Sequence, residues 1–298
     1  MSALAGATPV AGVAEALGAA TDALAAAGIA EARLDAELLL AAATGRGRAS
    51  LIADPGAKID PAQARRFAAT VRRRLRREPL AYILGTKGFR RIELAVDRRV
   101  LVPRPETELL VEVALERRPR RVLDIGTGSG AIALAVADEL PEAEVVATDT
   151  SPGALEVARA NAARLGLAAR VRFEAGTLPE GEEFDLVLAN LPYVAERDWA
   201  GLQPEVTEWE PRAALLAGPD GLDAYRELLA PMAEGPAECL RPTFSDAPAA
   251  LDAVGAIAVE IGAGQALEVA ELMRDAGFRE IEVRCDLAGL ERVVVGAR

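Results

Sequence analysis

A glycine-rich turn is the first feature of the sequence whose residue types and spacing could do chemistry. It reads Asp-Ile-Gly-Thr-Gly-Ser-Gly from Asp124 to Gly130, after a strand-like apolar run and before a helix-like one. Glycines in this context let the backbone approach a ligand closely, and the helix N-terminus offers free N–H groups. The spacing is G-x-G-x-G, whereas dinucleotide sites prefer G-x-G-x-x-G. An acid two residues before the first glycine favours a cationic ligand.

The next strand ends in a second acid. Asp149 follows Asp124 by 25 residues, at a place where a carboxylate can accept both ribose hydroxyls of an adenosyl group. S-adenosylmethionine combines that group with an ammonium and a sulfonium, and the turn resembles the first motif of the class I methyltransferases. We therefore expect cofactor contacts at Asp149 and along the turn, at Gly126, Thr127, Gly128, Ser129 and Gly130. The alternative is that the turn only packs a strand tightly against a helix.

A second turn, Asn190-Leu191-Pro192-Tyr193, follows a later strand and should lie at the same edge of the sheet. Pro192 lacks an N–H and pushes Leu191 into an extended conformation, which creates a corner rich in acceptors and poor in donors. An amide or exocyclic amine nitrogen is a poor nucleophile, and two acceptors that hold its hydrogens orient its lone pair toward a methyl group. The Asn190 side-chain oxygen and the Leu191 carbonyl could be those acceptors, with Tyr193 stacking on the flat group. Alternatively, these residues only form a turn.

The elements that must position these residues alternate between strand and helix after residue 121. Strand-like runs cover 122–125, 144–147, 171–173, 184–188 and 256–260, and helix-like stretches cover 130–140, 152–165 and 222–234. Repeated β-α units imply a mostly parallel sheet whose ligand site lies beyond the carboxyl ends of the strands. Residues 277–296 predict an antiparallel pair at the sheet edge.

The chain before residue 78 has apolar residues at helical spacing and predicts three or more short helices. Asp60-Pro61 is a start signal for the last of them, with Asp as N-cap and Pro at the first helical position. Strand-like runs at 89–96 and 100–102, with polar residues 97–99 between them, predict a hairpin that links two domains.

Composition excludes several functions. The 298 residues carry a formal charge of -12, which disfavours a protein that coats nucleic acid. Histidine is absent, and Cys239 and Cys285 form no zinc-binding pattern, so imidazole catalysis is excluded and no metal site is expected. No apolar run is long enough to span a bilayer and the Ala-rich start lacks a basic region, so we expect a cytoplasmic protein.

One segment reverses the overall charge. Residues 65–121 contain 17 basic and 7 acidic side chains, a local charge of +10. Seven of the arginines lie between Arg65 and Arg77, on the helix that begins after Asp60. They form either a solvated helix face or a docking surface for RNA or an acidic partner.

Over nearly its whole length the sequence resembles the protein-(glutamine-N5) methyltransferases of peptide chain release factors, the HemK/PrmC family. The stretch Pro-Arg-Pro-Glu-Thr-Glu, which begins at Pro103, carries this resemblance most specifically, because all class I methyltransferases share the glycine motif. The other segments that carry it are 33–40, 78–85, 124–130, 190–193, 218–226, 260–265 and 286–292.

The resemblance implies an α/β fold: a Rossmann-like domain with a mostly parallel sheet and an antiparallel edge, preceded by an all-helical domain and a β-hairpin linker. Residues 1–80 would dock the release factor, 81–102 would form the linker, and 103–298 would form the methyltransferase domain. The implied reaction transfers a methyl group from S-adenosylmethionine to the side-chain amide nitrogen of the glutamine in the Gly-Gly-Gln loop of class 1 release factors. We expect the enzyme to act as a monomer, without obligatory nucleic acid.

The resemblance also implies roles for single residues. Thr177 and Leu178 would lie near the adenine, and Asn190 to Tyr193 would bind the glutamine, with Asn190 also touching the cofactor. Pro103 to Glu108 would line the pocket, Pro103 and Arg104 as substrate contacts. Alternatively, Arg104 and Glu106 only pair with each other.

Three departures from the family pattern keep other functions open. Leu191 replaces a usual proline, Gly176-Thr177 replaces a Gly-Asp pair, and the stretch from Met232 to Val254 is longer than usual. Asn-Leu-Pro-Tyr resembles the ribosomal RNA adenine-N6 dimethyltransferases, so an adenine-N6 methyltransferase acting on RNA or DNA is the alternative. A binding protein that keeps the fold without activity is the third hypothesis.

Overall fold

A computed structural model describes residues 12–179, 181–232 and 254–298, and these residues form two compact units. The first unit extends to Gly85 and includes Pro204–Trp209, and the second contains Thr86–Gln203 and Glu210–Arg298. Cys239 and residues 233–253 of the long stretch after Met232 lie outside the described residues. The functional boundaries at residues 80 and 102 stay predictions.

The first unit is helical and packs around one apolar core. Its helices are α1 (Val13–Ala26), α2 (Ala32–Thr44), α3 (Arg48–Ala53), α4 (Pro61–Leu75), α5 (Leu80–Leu84) and, later in the chain, α9 (Pro204–Trp209). Leu17, Leu39 and Phe67 are among the core residues, which recur at helical spacing. Helix α4 begins where Asp60-Pro61 predicts, because the Asp60 carboxylate accepts hydrogen bonds from the N–H groups of Ala62 and Gln63 at 2.8 and 2.9 Å.

A buried ion cluster ties α2, α4 and α9 together within this unit. Arg74 donates from Nε to Asp35 at 2.7 Å and from Nη1 to Glu205 at 2.8 Å, and Arg77 donates from Nη2 to Glu205 at 2.6 Å. Asp35, Arg74 and Glu205 are all buried. Other arginines on this helix, Arg65, Arg66 and Arg72, and Arg76 directly after it, are instead exposed.

The second unit begins with a β-hairpin that is shorter than the sequence predicts. Strands β1 (Thr86–Phe89) and β2 (Ile92–Ala95) pair antiparallel, with Phe89 opposite Ile92. The prediction of a turn at 97–99 was wrong: the hairpin turns at Arg90, whose φ of 49° is left-handed. The Asp97 side chain accepts from the Arg99 N–H at 3.0 Å, which forms a local turn after the hairpin instead.

The rest of this unit is a seven-stranded sheet with helices, which confirms the predicted fold class. Its strands are β3 (Arg121–Ile125), β4 (Glu144–Asp149), β5 (Val171–Ala175), β6 (Leu186–Ala189), β7 (Ala256–Glu260), β8 (Glu280–Cys285) and β9 (Glu291–Ala297). The strand order is β5-β4-β3-β6-β7-β9-β8. Strands β3 to β7 run parallel, while β9 pairs antiparallel with both β7 and β8, as predicted for the edge.

The helices of the second unit are α6 (Glu108–Arg117), α7 (Ala131–Glu139), α8 (Pro152–Leu165), α10 (Asp223–Leu229) and α11 (Ala266–Asp275). A 3-10 turn, Pro105–Thr107, leads into α6. Helix α7 buries residues all round because it follows the central strand β3, whereas α11 is amphipathic and covers β9. Across the described parts of the chain, no helix has the length and apolar character that crossing a membrane requires.

Replacing Arg74 by alanine should destabilise the helical unit by about 3–5 kcal/mol, because Asp35 and Glu205 would stay buried with less compensation. Urea unfolding followed by circular dichroism measures the change. Arg72→Ala is the matched control, since this exposed arginine lies on the same helix, and we expect its effect to stay within about 0.5 kcal/mol. Equal stability of the two variants would contradict a structural role for the cluster.

Candidate active site

A cavity of about 670 Å³ lies in the second unit, at the carboxyl ends of β3, β4 and β6. Parallel strands bring their carboxyl ends to one edge of a sheet, and helices begin there with free N–H groups. The lining includes these expected site residues: Pro103, Gly126, Thr127, Gly128, Ser129, Asp149, Thr177, Leu178, Asn190, Leu191 and Pro192. The structure thus gathers most of the predicted residues into one cavity.

The glycine-rich turn between β3 and α7 forms one wall of this cavity. Gly126, Gly128 and Gly130 have φ of 72°, 57° and 84°, a region that favours glycine. Gly130 does not line the cavity, and a Cβ there would lie 2.8 Å from the Leu134 Cδ1 atom. Its role is therefore close packing at the start of α7, while the other two glycines bring backbone to the cavity.

Asp124 lies behind the turn rather than in the cavity lining. Its Oδ2 atom accepts from the Thr127 hydroxyl at 2.6 Å and from the Ala133 N–H at 3.1 Å, and its buried Oδ1 atom has no hydrogen-bond partner. Burial raises the pKa of Asp124 to about 7, against the lowering effect of these two hydrogen bonds. Asp124 thus holds the turn in shape and places a buried, incompletely satisfied carboxyl next to the cavity.

Asp149 ends β4 and faces the cavity with spare acceptor capacity. Its Oδ2 accepts from the Gly128 N–H at 2.9 Å and its Oδ1 from the Ser151 N–H at 2.8 Å. A carboxylate has about four lone-pair sites, so each oxygen can accept a further hydrogen bond. Thr177 and Leu178 lie beyond it, and the Thr148 hydroxyl holds the Thr177 carbonyl at 2.8 Å.

Asn190, directly after β6, is held by a chain of two hydrogen bonds. Its Nδ2 donates to the Thr107 hydroxyl at 3.0 Å, and that hydroxyl donates to Glu260 Oε2 at 2.6 Å. Because Nδ2 is hydrogen-bonded to Thr107, the amide oxygen Oδ1 is the acceptor that Asn190 offers in the cavity. Leu191 is buried and lies against the glycine turn, where its Cδ2 atom would be 3.7 Å from a Cβ on Gly126.

Tyr193 and Arg104 are not part of the cavity lining. The Tyr193 carbonyl accepts from Gln265 Nε2 at 3.1 Å, and burial, followed by the charge of Glu260, raises the pKa of its hydroxyl to about 12. Arg104 donates from Nη2 to both carboxylate oxygens of buried Glu210 at 2.8 and 2.7 Å. The pairing partner of Arg104 is thus Glu210, not Glu106 as one interpretation of the sequence had it.

Two polar residues of the site received no individual role from the sequence. Thr107 belongs to the segment 103–108 that was expected to line the pocket, and Glu260 ends β7, the neighbour of β6. Burial raises the pKa of Glu260 to about 7, although its hydrogen bond from Thr107 acts in the opposite direction. The sequence signal that could have identified Glu260 is its type and place: it is an acid at the carboxyl end of β7, and β7 is the parallel neighbour of β6, which Asn190 follows.

The sequence also did not predict a further wall of the cavity. It is lined by Pro211, Ala213, Ala214, Leu216, Ala217, Gly218, Asp223, Ala224, Glu227 and Leu228. These residues are mostly small or apolar. Some of them belong to the segment 218–226 that carries the family resemblance, but none was assigned a site role from the sequence. Only the packing of this segment beside the Asn190 turn, where Val194 N–H donates to the Leu215 carbonyl at 2.8 Å, brings them to the site.

Comparisons with known proteins agree with this fold. A model of the PrmC N-terminal domain matches residues 15–85, and a model of the methyltransferase small domain matches residues 105–203. The solved hMettl16 catalytic domain has a similar fold, with a TM-score of 0.50, 15% identity, and coverage of 68% of this chain and 75% of that one. The fold is therefore that of a class I methyltransferase.

Curated relatives identify the family. The release factor glutamine methyltransferase of Geobacter sulfurreducens is 44% identical over 274 residues, which cover 90% of each chain. That of Caulobacter vibrioides is 42% identical over 287 residues, 94% of each chain. The chain belongs to the release factor glutamine methyltransferase family, and the resemblance that the sequence motifs carry is confirmed.

The two raised carboxyl pKa values predict a pH-dependent stability. Asp124 and Glu260 keep their protons in the folded state up to about pH 7 but lose them near pH 4 when unfolded. The unfolded state then binds fewer protons, so the free energy of unfolding should fall as pH rises from 5 to 7, by up to about 1.4 kcal/mol per pH unit for each group.

Urea unfolding at pH 5, 6, 7 and 8 measures this slope, and no histidine contributes to it. Asp124→Asn should reduce the slope by about one group's share. A variant slope equal to that of the native chain would show that Asp124 ionises normally in the folded protein.

Proposed function

We propose that this chain transfers a methyl group from S-adenosylmethionine to the side-chain amide nitrogen of the glutamine in the Gly-Gly-Gln loop of peptide chain release factors. The observation that carries the proposal is the orientation of Asn190. Because its Nδ2 donates to Thr107, its Oδ1 is left to accept a hydrogen from a substrate amide, in the cavity that the glycine turn and Asp149 also line.

The residues around the glycine turn fit S-adenosylmethionine. Asp149 has acceptor sites left for the two ribose hydroxyls, and Thr177 and Leu178 line the part of the cavity beyond it. The unpartnered Oδ1 atom of Asp124 is a buried source of negative potential behind the turn, which suits a ligand with two positive charges. Gly126 and Gly128 leave room for the backbone to contact the ligand.

The bound donor supplies an activated methyl group on a sulfonium, so the carbon–sulfur bond breaks, a carbon–nitrogen bond forms and a neutral thioether leaves. The protein itself has to bind the donor and the substrate amide, orient them toward each other, and exclude water. Asn190 Oδ1 holds one amide hydrogen, and the Leu191 carbonyl is the acceptor proposed for the other. Positioning of this kind supplies much of the rate in reactions that bring two reactants together, and the proton lost from nitrogen then passes to solvent.

The named relatives favour a protein substrate over a nucleic acid. Each of the two relatives covers nine-tenths or more of this chain and is named for release factor glutamine methylation, so the adenine-N6 alternative is not favoured. Release factor docking on the helical unit is our proposal, and the exposed arginines on and directly after α4 offer it a basic surface: Arg65, Arg66, Arg72 and Arg76. RNA contact by these arginines, a monomeric state and a cytoplasmic location stay predictions.

The test of the proposed function is methylation of a purified release factor with labelled S-adenosylmethionine. Label should enter the native release factor and be absent from a variant whose Gly-Gly-Gln glutamine is alanine. Mass spectrometry of the native release factor should place an added mass of about 14 Da, one CH2, on that glutamine. Undiminished labelling of the alanine variant would overturn the proposal. Label in added RNA or DNA instead would favour the adenine-N6 alternative.

Asn190→Ala should lower kcat by about 100-fold, because the substrate amide loses an orienting acceptor at the reacting atom. The affinity for S-adenosylmethionine, measured by calorimetry, should change by about threefold or less, because the group removed acts mainly on the substrate. Asp138→Ala, an exposed position on α7, is the matched control and should keep full activity. Collapse of donor binding in the Asn190 variant would reassign Asn190 to the cofactor.

A further inference from the structure

The hydrogen bonds that link Asn190, Thr107 and Glu260 run in one direction when Glu260 is ionised. An asparagine amide can donate only through Nδ2 and accept only through Oδ1, and a threonine hydroxyl has one proton to give. Thr107 lies 2.6 Å from Glu260 Oε2 and 3.0 Å from Asn190 Nδ2. An ionised carboxylate has no proton, so the hydroxyl proton must go to Glu260, and Thr107 can then only accept from Asn190.

We propose that Thr107 and Glu260 are positioning residues that fix the Asn190 amide with Oδ1 toward the substrate nitrogen. This proposal rests on the proposed function, because it explains how the acceptor for the substrate amide is presented. Neither residue needs to touch the substrate for this role. Without these hydrogen bonds, either end of the Asn190 amide could face the substrate. Nδ2 cannot accept a hydrogen bond, so it would repel the hydrogens of the substrate amide, whereas Oδ1 accepts one of them.

The surroundings isolate this hydrogen-bond chain and fix its length. Thr107 and Glu260 are 3% and 2% exposed, so water does not offer either of them an alternative partner. The backbone carbonyl of Glu260 accepts from the Tyr225 hydroxyl at 2.7 Å, which anchors the end of β7. Asn190 is attached to the neighbouring strand β6, which pairs with β7 up to Ala189 and Val259. The distance between the amide and the carboxylate is therefore set by the sheet register.

The direction depends on the charge of Glu260. When Glu260 binds a proton, it can donate to Thr107, and Thr107 can then donate to Asn190 Oδ1 once the amide has turned over. The amide would then present Nδ2 to the substrate. The active arrangement therefore requires ionised Glu260, so kcat should decrease as pH falls through the pKa of this group, which burial raises to about 7.

Several other groups act on Glu260 and belong to this pH dependence. Glu106, in the 3-10 turn, raises its pKa, while Arg292 of β9 and the preceding Arg104 lower it. Tyr193 and Tyr225 also interact with it, but the pKa of each hydroxyl is raised, so both stay neutral over this range. Helix α6 packs on β7, and its buried residues are all apolar. Glu260 is thus the group of this set that titrates near neutral pH.

Three variants separate positioning from structure. Thr107→Val keeps the shape of the side chain but removes the hydroxyl, so kcat should fall by about 10- to 100-fold while the affinity for S-adenosylmethionine stays within about threefold. Thr107→Ser keeps the hydroxyl and should recover most of the kcat. Glu260→Gln removes the charge, and it should fold because the native carboxyl already tolerates a proton in this place.

The pH profile of kcat between pH 6 and 8 is the second readout. It should fall toward pH 6 in the native chain and in Thr107→Ser, and become flatter in Glu260→Gln and in Thr107→Val. Asp124 remains in every variant, so a slope that it caused would persist in all of them. Thermal unfolding and donor binding of each variant establish that the fold is intact.

A separate measurement on the release factor distinguishes failure of this proposal from failure of the proposed function. Methylation of the native release factor by the native chain, and not of its glutamine-to-alanine variant, is measured first. If the native release factor is not methylated, or its alanine variant is methylated equally, the proposed function is overturned and the positioning role with it. If it succeeds and a folded Thr107→Val retains native kcat, or all variants share one pH profile, the positioning role alone is overturned.

Discussion

The site depends on one constraint, the parallel pairing of β3 with both β4 and β6. This register brings Asp149, the glycine turn and Asn190, which lie far apart in the chain, to a single edge of the sheet. The Gly126 and Thr127 N–H groups both donate to the Thr148 carbonyl at 2.9 Å, so the turn is fastened to the neighbouring strand end. Each group that would hold the donor or the substrate is therefore placed by rigid elements.

The second feature of the site is its use of buried carboxyls as organisers. Asp124 holds the turn through Thr127, and Glu260 holds Asn190 through Thr107. In both cases a threonine hydroxyl connects the carboxyl to the group that it positions, and burial raises the pKa of the carboxyl to about 7. Such groups cost stability when they ionise, and functional sites are where proteins retain them. A chain without histidine thus still has groups that titrate near neutral pH.

The arginines show how composition alone can mislead. The seven arginines between Arg65 and Arg77 offered a docking surface as one interpretation, but many arginines of the basic segment 65–121 have acidic partners within their own unit, as Arg74 has in Asp35 and Glu205 and Arg90 in Glu139. A charge count cannot reveal such pairs, because the partners lie up to 131 residues away in sequence. The exposed arginines on and directly after α4 are among those that stay accessible to an outside partner.

The sequence by itself determined the elements with local causes: the capped start of α4, the glycine turn, the Asn-Leu-Pro-Tyr turn and the strand-helix alternation. It also indicated the fold class, and most of the predicted site residues do line the cavity, because strand ends of a parallel sheet meet. It misplaced the hairpin turn, since the left-handed Arg90 carries no turn signal. Only the tertiary structure decided the partners of Arg104, Thr107 and Glu260, because their contacts span 106, 83 and 153 residues, and no local pattern encodes such pairings.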